Sequence, residues 1–252
     1  MDLPRNAFRR RLLEGEVQIG LWCSAPGSYT AEAMAGAGFD WLLFDTEHSP
    51  ADPLTVLAPL QAAAAYPVSA LVRPAWNDPV LIKRILDLGA QTLIVPYVQS
   101  AEEAEAAVRA MRYPPGGIRG VSTLTRANRW GRVGDYLDRA AEELCLLVQI
   151  ETREGLERIE SIAAVDGVDG LFIGPADLAA SLGALGRPEA VTAEVEEAIR
   201  RIVASGKAAG ILTGPAFARR CRDLGATVLG IGVDLALMAR AADALAREFR
   251  AE

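Results

Sequence analysis

The sequence predicts a (β/α)8 TIM barrel, on three observations. Eight short apolar runs alternate with helical patterns from end to end. The stretches between them carry helix start and stop residues. The length, 252 residues at 51% hydrophobic, suits one such barrel of about 250 residues. Eight alternations favour a closed barrel over an open doubly wound sheet, and without a linker or low-complexity segment one domain is expected over 1–252.

Taken in order, the expected strands are Gln18–Ser24, Trp41–Asp45, Ser69–Arg73, Thr92–Val98, Leu144–Glu151, Gly170–Gly174, Ala208–Thr213 and Val228–Asp234. Each reads as a strand buried on both faces that ends where apolar residues give way to polar ones. Gly36 to Gly38 mark the helix end before the second strand. After the third, Asp78 and Pro79 open a helix as cap and first residue, and Gly89 closes it. Ser100 with Glu103 makes a capping box for the next helix. Leu88-Gly89-Ala90 before the fourth strand is echoed by Leu224-Gly225-Ala226 before the eighth, and Gly167 to Gly170 does the same before the sixth. The terminal helix carries an apolar stripe of Leu235, Met238, Ala242, Leu245 and Phe249. Between the fourth and fifth strands the chain runs longer than one helix needs, so a long loop is expected. It holds Tyr113 to Gly117 and five arginines: Arg112, Arg119, Arg126, Arg129 and Arg132. Salt bridging at a subunit interface and recognition of an anionic substrate tail both fit that composition.

A net charge of −7 argues against nucleic acid or an anionic membrane as partner. Met1 to Gly15 is rich in arginine and lacks the apolar stretch of a signal peptide, and no run approaches the about 20 apolar residues of a membrane span. The three cysteines, Cys23, Cys145 and Cys221, are far apart and outside CxxC pairs. A disulfide framework or structural zinc site is not expected, and a cytoplasmic location is.

A barrel of this kind places its active site at the carboxyl ends of its strands. Those ends supply Ser24; Asp45, Glu47 and His48; Arg73; Gln149 and Glu151; Asp177; Thr213; and Asp234. Glu151 and Asp177, at the same ends of neighbouring strands, are the expected metal ligands. An oxygen-rich pair suits Mg2+ or Mn2+ better than a closed zinc site, with Co2+ or Zn2+ as alternatives. Two carboxylates leave octahedral positions for water and a chelating substrate. The structural alternative pairs Glu151 with an arginine and makes Asp177 a helix N-cap. Gly174, Pro175, Ala176 and Asp177 also stand at a helix start, where backbone amides suit a substrate carboxylate. His48, the one histidine, follows Asp45 and Glu47 and is the candidate general base or acid. Arg73 is suited to stabilising an enolate oxygen, and Gln149 to orienting substrate or water. The two lysines, Lys83 and Lys207, fall in a helix and before the seventh strand, so no Schiff-base lysine is expected at the rim. A metal is then the expected electron sink.

At these residues the chain resembles the HpcH/HpaI family of metal-dependent pyruvate aldolases. The resemblance covers nearly the whole chain and is carried by GFDWLLFDTEH (Gly38 to His48), LVRP (Leu71 to Pro74), RYPPGGIRGV (Arg112 to Val121), LLVQIETREG (Leu146 to Gly155) and GVDGLFIGPADL (Gly167 to Leu178). It implies that Glu151 and Asp177 bind the divalent ion, that Arg73 contacts the C2 oxygen of pyruvate, and that His48 works through a metal-bound water. It also implies that Asp87 of an adjacent subunit assists His48. Substrate contacts are then expected from Gln149, Gly174, Pro175, Ala176, Asp177 and Leu212. The implied reaction is reversible aldol cleavage of a 4-hydroxy-2-oxo acid to pyruvate or hydroxypyruvate plus an aldehyde, through a metal-stabilised enolate. The implied assembly is a homohexamer in which the last helix swaps between subunits, and the implied setting is catabolism of aromatic compounds.

Two departures from the family pattern stand out. Ser122 to Thr125 replace the small residues expected after Val121, in a loop expected near the aldehyde pocket, and Thr46 sits between Asp45 and Glu47. Two rival functions are an acyl-CoA lyase like the citrate lyase β-subunit and a non-catalytic 2-oxo-acid binding protein. The former tends to carry a longer C-terminal extension.

Overall fold

All eight expected strands form, and they close in sequence order into a parallel barrel with β8 paired back to β1. They are β1 (Gln18–Cys23), β2 (Trp41–Asp45), β3 (Ser69–Arg73), β4 (Thr92–Val95), β5 (Cys145–Ile150), β6 (Gly170–Ile173), β7 (Ala208–Leu212) and β8 (Val228–Val233). This is a computed structural model, and it describes residues 1–251. Glu252, the last residue of the expected domain, lies outside the described residues. Six strands stop short of their expected carboxyl ends, at Ser24, Pro96, Glu151, Gly174, Thr213 and Asp234. There the chain turns into the rim loops, and at Pro96 the strand also loses a ladder donor.

The helices are α1 (Ala7–Leu13), α2 (Ser28–Ala35), α3 (Pro53–Ala63), α4 (Pro79–Asp87), α5 (Ala101–Met111), α6 (Tyr136–Arg139), α7 (Arg153–Glu157), α8 (Ile159–Ala163), α9 (Pro175–Ser181), α10 (Thr192–Ala204), α11 (Pro215–Asp223) and α12 (Asp234–Arg250). Asp78 caps α4 as expected, accepting from the amides of Val80 and Leu81. Ser100 caps α5, but Glu103 reaches one residue beyond the expected box, to the Gln99 amide. Gly89 and Gly225 stand at positive φ, +92° and +104°, where a side chain would be strained after each helix end.

The strand period of two decides what enters the barrel. Trp22, Trp41, Leu43, Leu71, Ile94, Leu147 and Phe172 fill its interior together with Phe8 and Leu12 of α1, which closes the amino-terminal end. Gly20 makes room for Trp41, whose ring would lie 2.0 Å from a Cβ at that position. By the same alternation Asp45 follows Trp41 and Leu43, Arg73 follows Leu71, and Gln149 and Glu151 follow Cys145 and Leu147. These polar residues are therefore the uppermost layer of the inward face. Outside the strands, α2 to α5, α8 and α10 supply the second apolar layer.

Two parts depart from a plain barrel. From Leu235 onward α12 leaves the surface, and Leu245 and Phe249 are exposed. Beside its origin lies a cavity of about 230 Å3 lined by Val17, Ile19, Pro215, Ala218, Leu229 and Ile231, on the flank where a final helix would pack. The irregular stretch 112–135 lies at the amino-terminal end of the strands, against the end of α4: the Ala127 amide donates to Asp87 O, and Arg126 donates to Leu88 O. No helix among the described residues is long and apolar enough to cross a membrane.

Candidate active site

Asp45 and Arg73 are direct register partners across β2 and β3. That pairing produces a two-bond fork, with Arg73 Nε donating to Asp45 Oδ1 at 2.8 Å and Nη2 to Oδ2 at 2.7 Å. Both side chains are buried, and the guanidinium also lies 4.8 Å over the Trp22 ring. Burial opposes the Asp45 charge, but Arg73 outweighs it and holds the carboxyl below its ordinary value. The third nitrogen, Nη1, is 3.4 Å from Gln149 Oε1 and 2.7 Å from Glu47 Oε2, the latter outside hydrogen-bond angles. One edge of Arg73 is thus spent on Asp45, and the other faces the rim.

Glu151 stands just past β5, opposite Gly174. Its Oε1 accepts from the Tyr97 amide at 2.7 Å, and its Oε2 from Gln149 Nε2 at 2.6 Å. A Cβ at Gly174 would lie 2.3 Å from Glu151 Oε2, so only glycine leaves the carboxylate its place. Asp177 is the third residue of α9, whose cap is Gly174. Its Oδ1 accepts from the Tyr97 hydroxyl at 2.9 Å. Neither structural alternative for the pair is found: Asp177 is not the N-cap, and among the described residues Glu151 makes no ion pair with an arginine. Burial, with Glu47 and Asp177 adding repulsion, raises the Glu151 carboxyl to about 7. Burial likewise raises Glu47, against the pull of Arg73 and His48.

Three carboxylates thus crowd one rim, and Arg73, already forked to Asp45, is the guanidinium among them. That donor set fits a hard divalent cation held through oxygen. Among the described residues no three His, Cys, Asp or Glu side chains gather as a ready-made metal cluster. The protein therefore offers Glu151 and Asp177, and water or substrate must complete the shell.

His48 follows β2 and is exposed, with Nε2 3.8 Å from Glu47 Oε1. Pro175 and Ala176 open α9 beside Asp177, and their position leaves the Ala176 and Asp177 amides without partners inside the helix. Leu212 ends β7 and packs on the barrel interior below this layer. Other rim residues are occupied structurally: Asp234 accepts from the amides of Ser24, Ala25 and Leu235, tying β1 to α12. The Thr213 amide donates to Gly230 O.

Asp87 is not brought to this rim within one chain. It closes α4 at the opposite end of the barrel and accepts from Arg119 Nη2 at 2.7 Å. The arginine-rich loop lies at that same far end and lines no part of the chain's own rim. Arg112 and Arg119 are ion-paired, to Asp166 and Asp87, while Arg126, Arg129 and Arg132 have no carboxylate partner among the described residues. A second cavity of about 230 Å3, with Asn6, Gln91, Thr92 and Arg126 in its walls, is also at the far end. The carboxylates, not that cavity, mark the chemistry. Lys207 donates to Val168 O near the start of β7, and Lys83 packs on Gly120, so neither reaches the rim.

Tyr97 is the residue sequence reading missed. The expected fourth strand, Thr92–Val98, places it inside the ladder, whereas β4 ends at Val95 and Pro96 breaks the ladder before it. Tyr97 adopts φ +53° and stacks on Trp76, ring centroids 5.4 Å apart. Burial, then the bond to Asp177, raises its hydroxyl to about 12, so it remains a donor.

Residues 18–241 match the family described as HpcH/HpaI aldolase/citrate lyase. A pyruvate aldolase of Rhizobium etli is 63% identical over 99% of this chain and 99% of its own. A 4-hydroxy-2-oxo-heptane-1,7-dioate aldolase of Salmonella arizonae is 57% identical over 98% and 96%. The crystal structure of an HpcH/HpaI aldolase/citrate lyase family protein from Burkholderia cenocepacia has a TM-score of 0.90 at 40% identity, covering 97% of this chain and 99% of that one.

Proposed function

Because the chain belongs to the HpcH/HpaI aldolase/citrate lyase family, we propose that this carbon–carbon lyase cleaves 4-hydroxy-2-oxo acids reversibly to pyruvate, or hydroxypyruvate, and an aldehyde. The observation that carries the reading is the pairing of Glu151 with Asp177 around Tyr97, beside a buried arginine and with no lysine at the rim. When bound by Glu151 and Asp177, a divalent cation (Mg2+ or Mn2+ for an oxygen donor set, with Co2+ or Zn2+ as alternatives) supplies the charge that acidifies the C3 protons of a 2-oxo acid.

The remaining work falls to the chain's own groups. Arg73 presents its rim-facing edge, whose Nη1 is shared with Gln149 and Glu47, to the C2 oxygen, where negative charge develops as C3 loses its proton or its carbon–carbon bond. The Asp45 fork keeps that edge from swinging away. Gln149 donates to Glu151, which sets the carboxylate's plane, and lies within reach of substrate. Ala176 and Asp177 offer first-turn amides to the substrate carboxylate, and Pro175 and Leu212 complete the wall. His48, whose Nε2 lies 3.8 Å from Glu47 Oε1, moves the proton through a water.

Asp87, at the far end of its own barrel, assists His48 only from a second copy of the chain. The site is therefore shared within a homo-oligomer, a hexamer by the resemblance. The departing α12 and the apolar cavity beside β1 and β8 support exchange of that helix between copies. Three buried free cysteines accord with a cytoplasmic protein.

The test is exchange of the pyruvate methyl protons in D2O, followed with and without chelator. Exchange that depends on added Mg2+ or Mn2+ is expected. Exchange at full rate in the chelated protein overturns the mechanism, and no exchange under any condition points to a binding protein.

A further inference from the structure

We infer that Tyr97 is a positioning residue for the cation site, holding Glu151 through its backbone amide and Asp177 through its hydroxyl. The inference rests on the reading of those two carboxylates as the metal pair. Its basis is the geometry of one residue reaching both. β4 stops at Val95, and Pro96 leaves the ladder without a donor, so the chain is free to turn. Tyr97 then takes φ +53°, a region an aromatic residue adopts rarely. That turn points its N–H at Glu151 Oε1, 2.7 Å away. It also sends the ring across the mouth of the barrel, where the hydroxyl meets Asp177 Oδ1 at 2.9 Å. Trp76, from the loop after β3, stacks on the ring at 29° and limits its swing.

The consequence is specific. Glu151 and Asp177 sit on different strand–helix units, and repulsion between them favours spreading apart. Tyr97, from a third unit, ties each to the same rigid body. Its hydroxyl donates to Oδ1 of Asp177 and so fixes the carboxylate's orientation, leaving Oδ2 available to a cation if one is bound. Outer partners of this kind hold ligands in place, and their loss lowers metal affinity by about 10- to 100-fold.

Tyr97→Phe separates this role from simple packing, since it keeps the ring, the Trp76 stack and the amide while removing only the hydroxyl. Mn2+ is titrated by calorimetry into metal-free wild type and Y97F, and the thermal midpoint of each is recorded without metal. The expected result is a Kd for Mn2+ raised about tenfold in Y97F, with the metal-free midpoint unmoved. A Kd within twofold of wild type overturns the positioning role while leaving the metal pair intact. Wild type that binds no Mn2+ overturns both readings together. A lowered metal-free midpoint with unchanged Kd assigns Tyr97 to packing alone and also overturns the proposal.

Discussion

Without a cation, Glu151 is expected to give stability a pH dependence opposite to the one carboxylates ordinarily confer. Buried Glu151, crowded by Glu47 and Asp177, has its carboxyl raised from the ordinary 4.5 to about 7. Between those values the folded protein holds a proton that the unfolded chain gives up. The stability this group retains is complete below about pH 4.5 and is lost as pH rises through about 7. At about 1.36 kcal/mol per pH unit, the interval amounts to about 3 kcal/mol. Glu47, also raised, acts in the same direction. The protein in EDTA is therefore expected to unfold at lower urea at pH 7.5 than at pH 5, and saturating Mg2+ is expected to restore most of the loss. Glu151→Gln removes the titrating group, so its metal-free urea midpoint should vary much less over the same range. The measurement is urea unfolding followed by circular dichroism at both pH values, with EDTA or Mg2+. A metal-free wild type as stable at pH 7.5 as at pH 5 refutes the reasoning, as does an undiminished slope in E151Q.

Gly174→Ala places a Cβ 2.3 Å from Glu151 Oε2 and 2.9 Å from Glu151 Cβ, so the carboxylate must move. Mn2+ affinity should fall by at least about tenfold, at a stability cost of about 1–3 kcal/mol, read by calorimetry and urea unfolding; unchanged affinity would mean that Glu151 has room to spare. Leu245→Asp with Phe249→Asp changes two side chains exposed on α12. If that helix packs on a second copy, the molar mass by light scattering should drop while the barrel's circular dichroism persists, and an unaltered mass removes α12 from the interface.

Much of this site is legible in the chain. The alternation Trp41, Leu43, Asp45 and Cys145, Leu147, Gln149, Glu151 runs apolar side chains into a barrel interior and ends on polar ones. Because the strand period is two, the same counting that finds the core also finds the rim. Asp78, Pro79 and Ser100 likewise act within a few residues of themselves, and helix caps are local chemistry. Tyr97 escaped because its role is split between an amide and a hydroxyl that serve residues 54 and 80 positions away. The pairing of Asp45 with Arg73 depends on β2 and β3 lying in one register, which neighbouring strands settle only on closure. Composition alone likewise did not reveal that the arginine-rich loop and Asp87 belong to the far end of the barrel. That follows from α4 and α5 running back down the barrel, which carries whatever follows them away from the carboxylates. What the sequence by itself determined is periodic or local: strands, caps, and the chemical types at the strand ends. What only the tertiary structure decided are contacts between distant segments, because closing the barrel sets their distances and no spacing along the chain does.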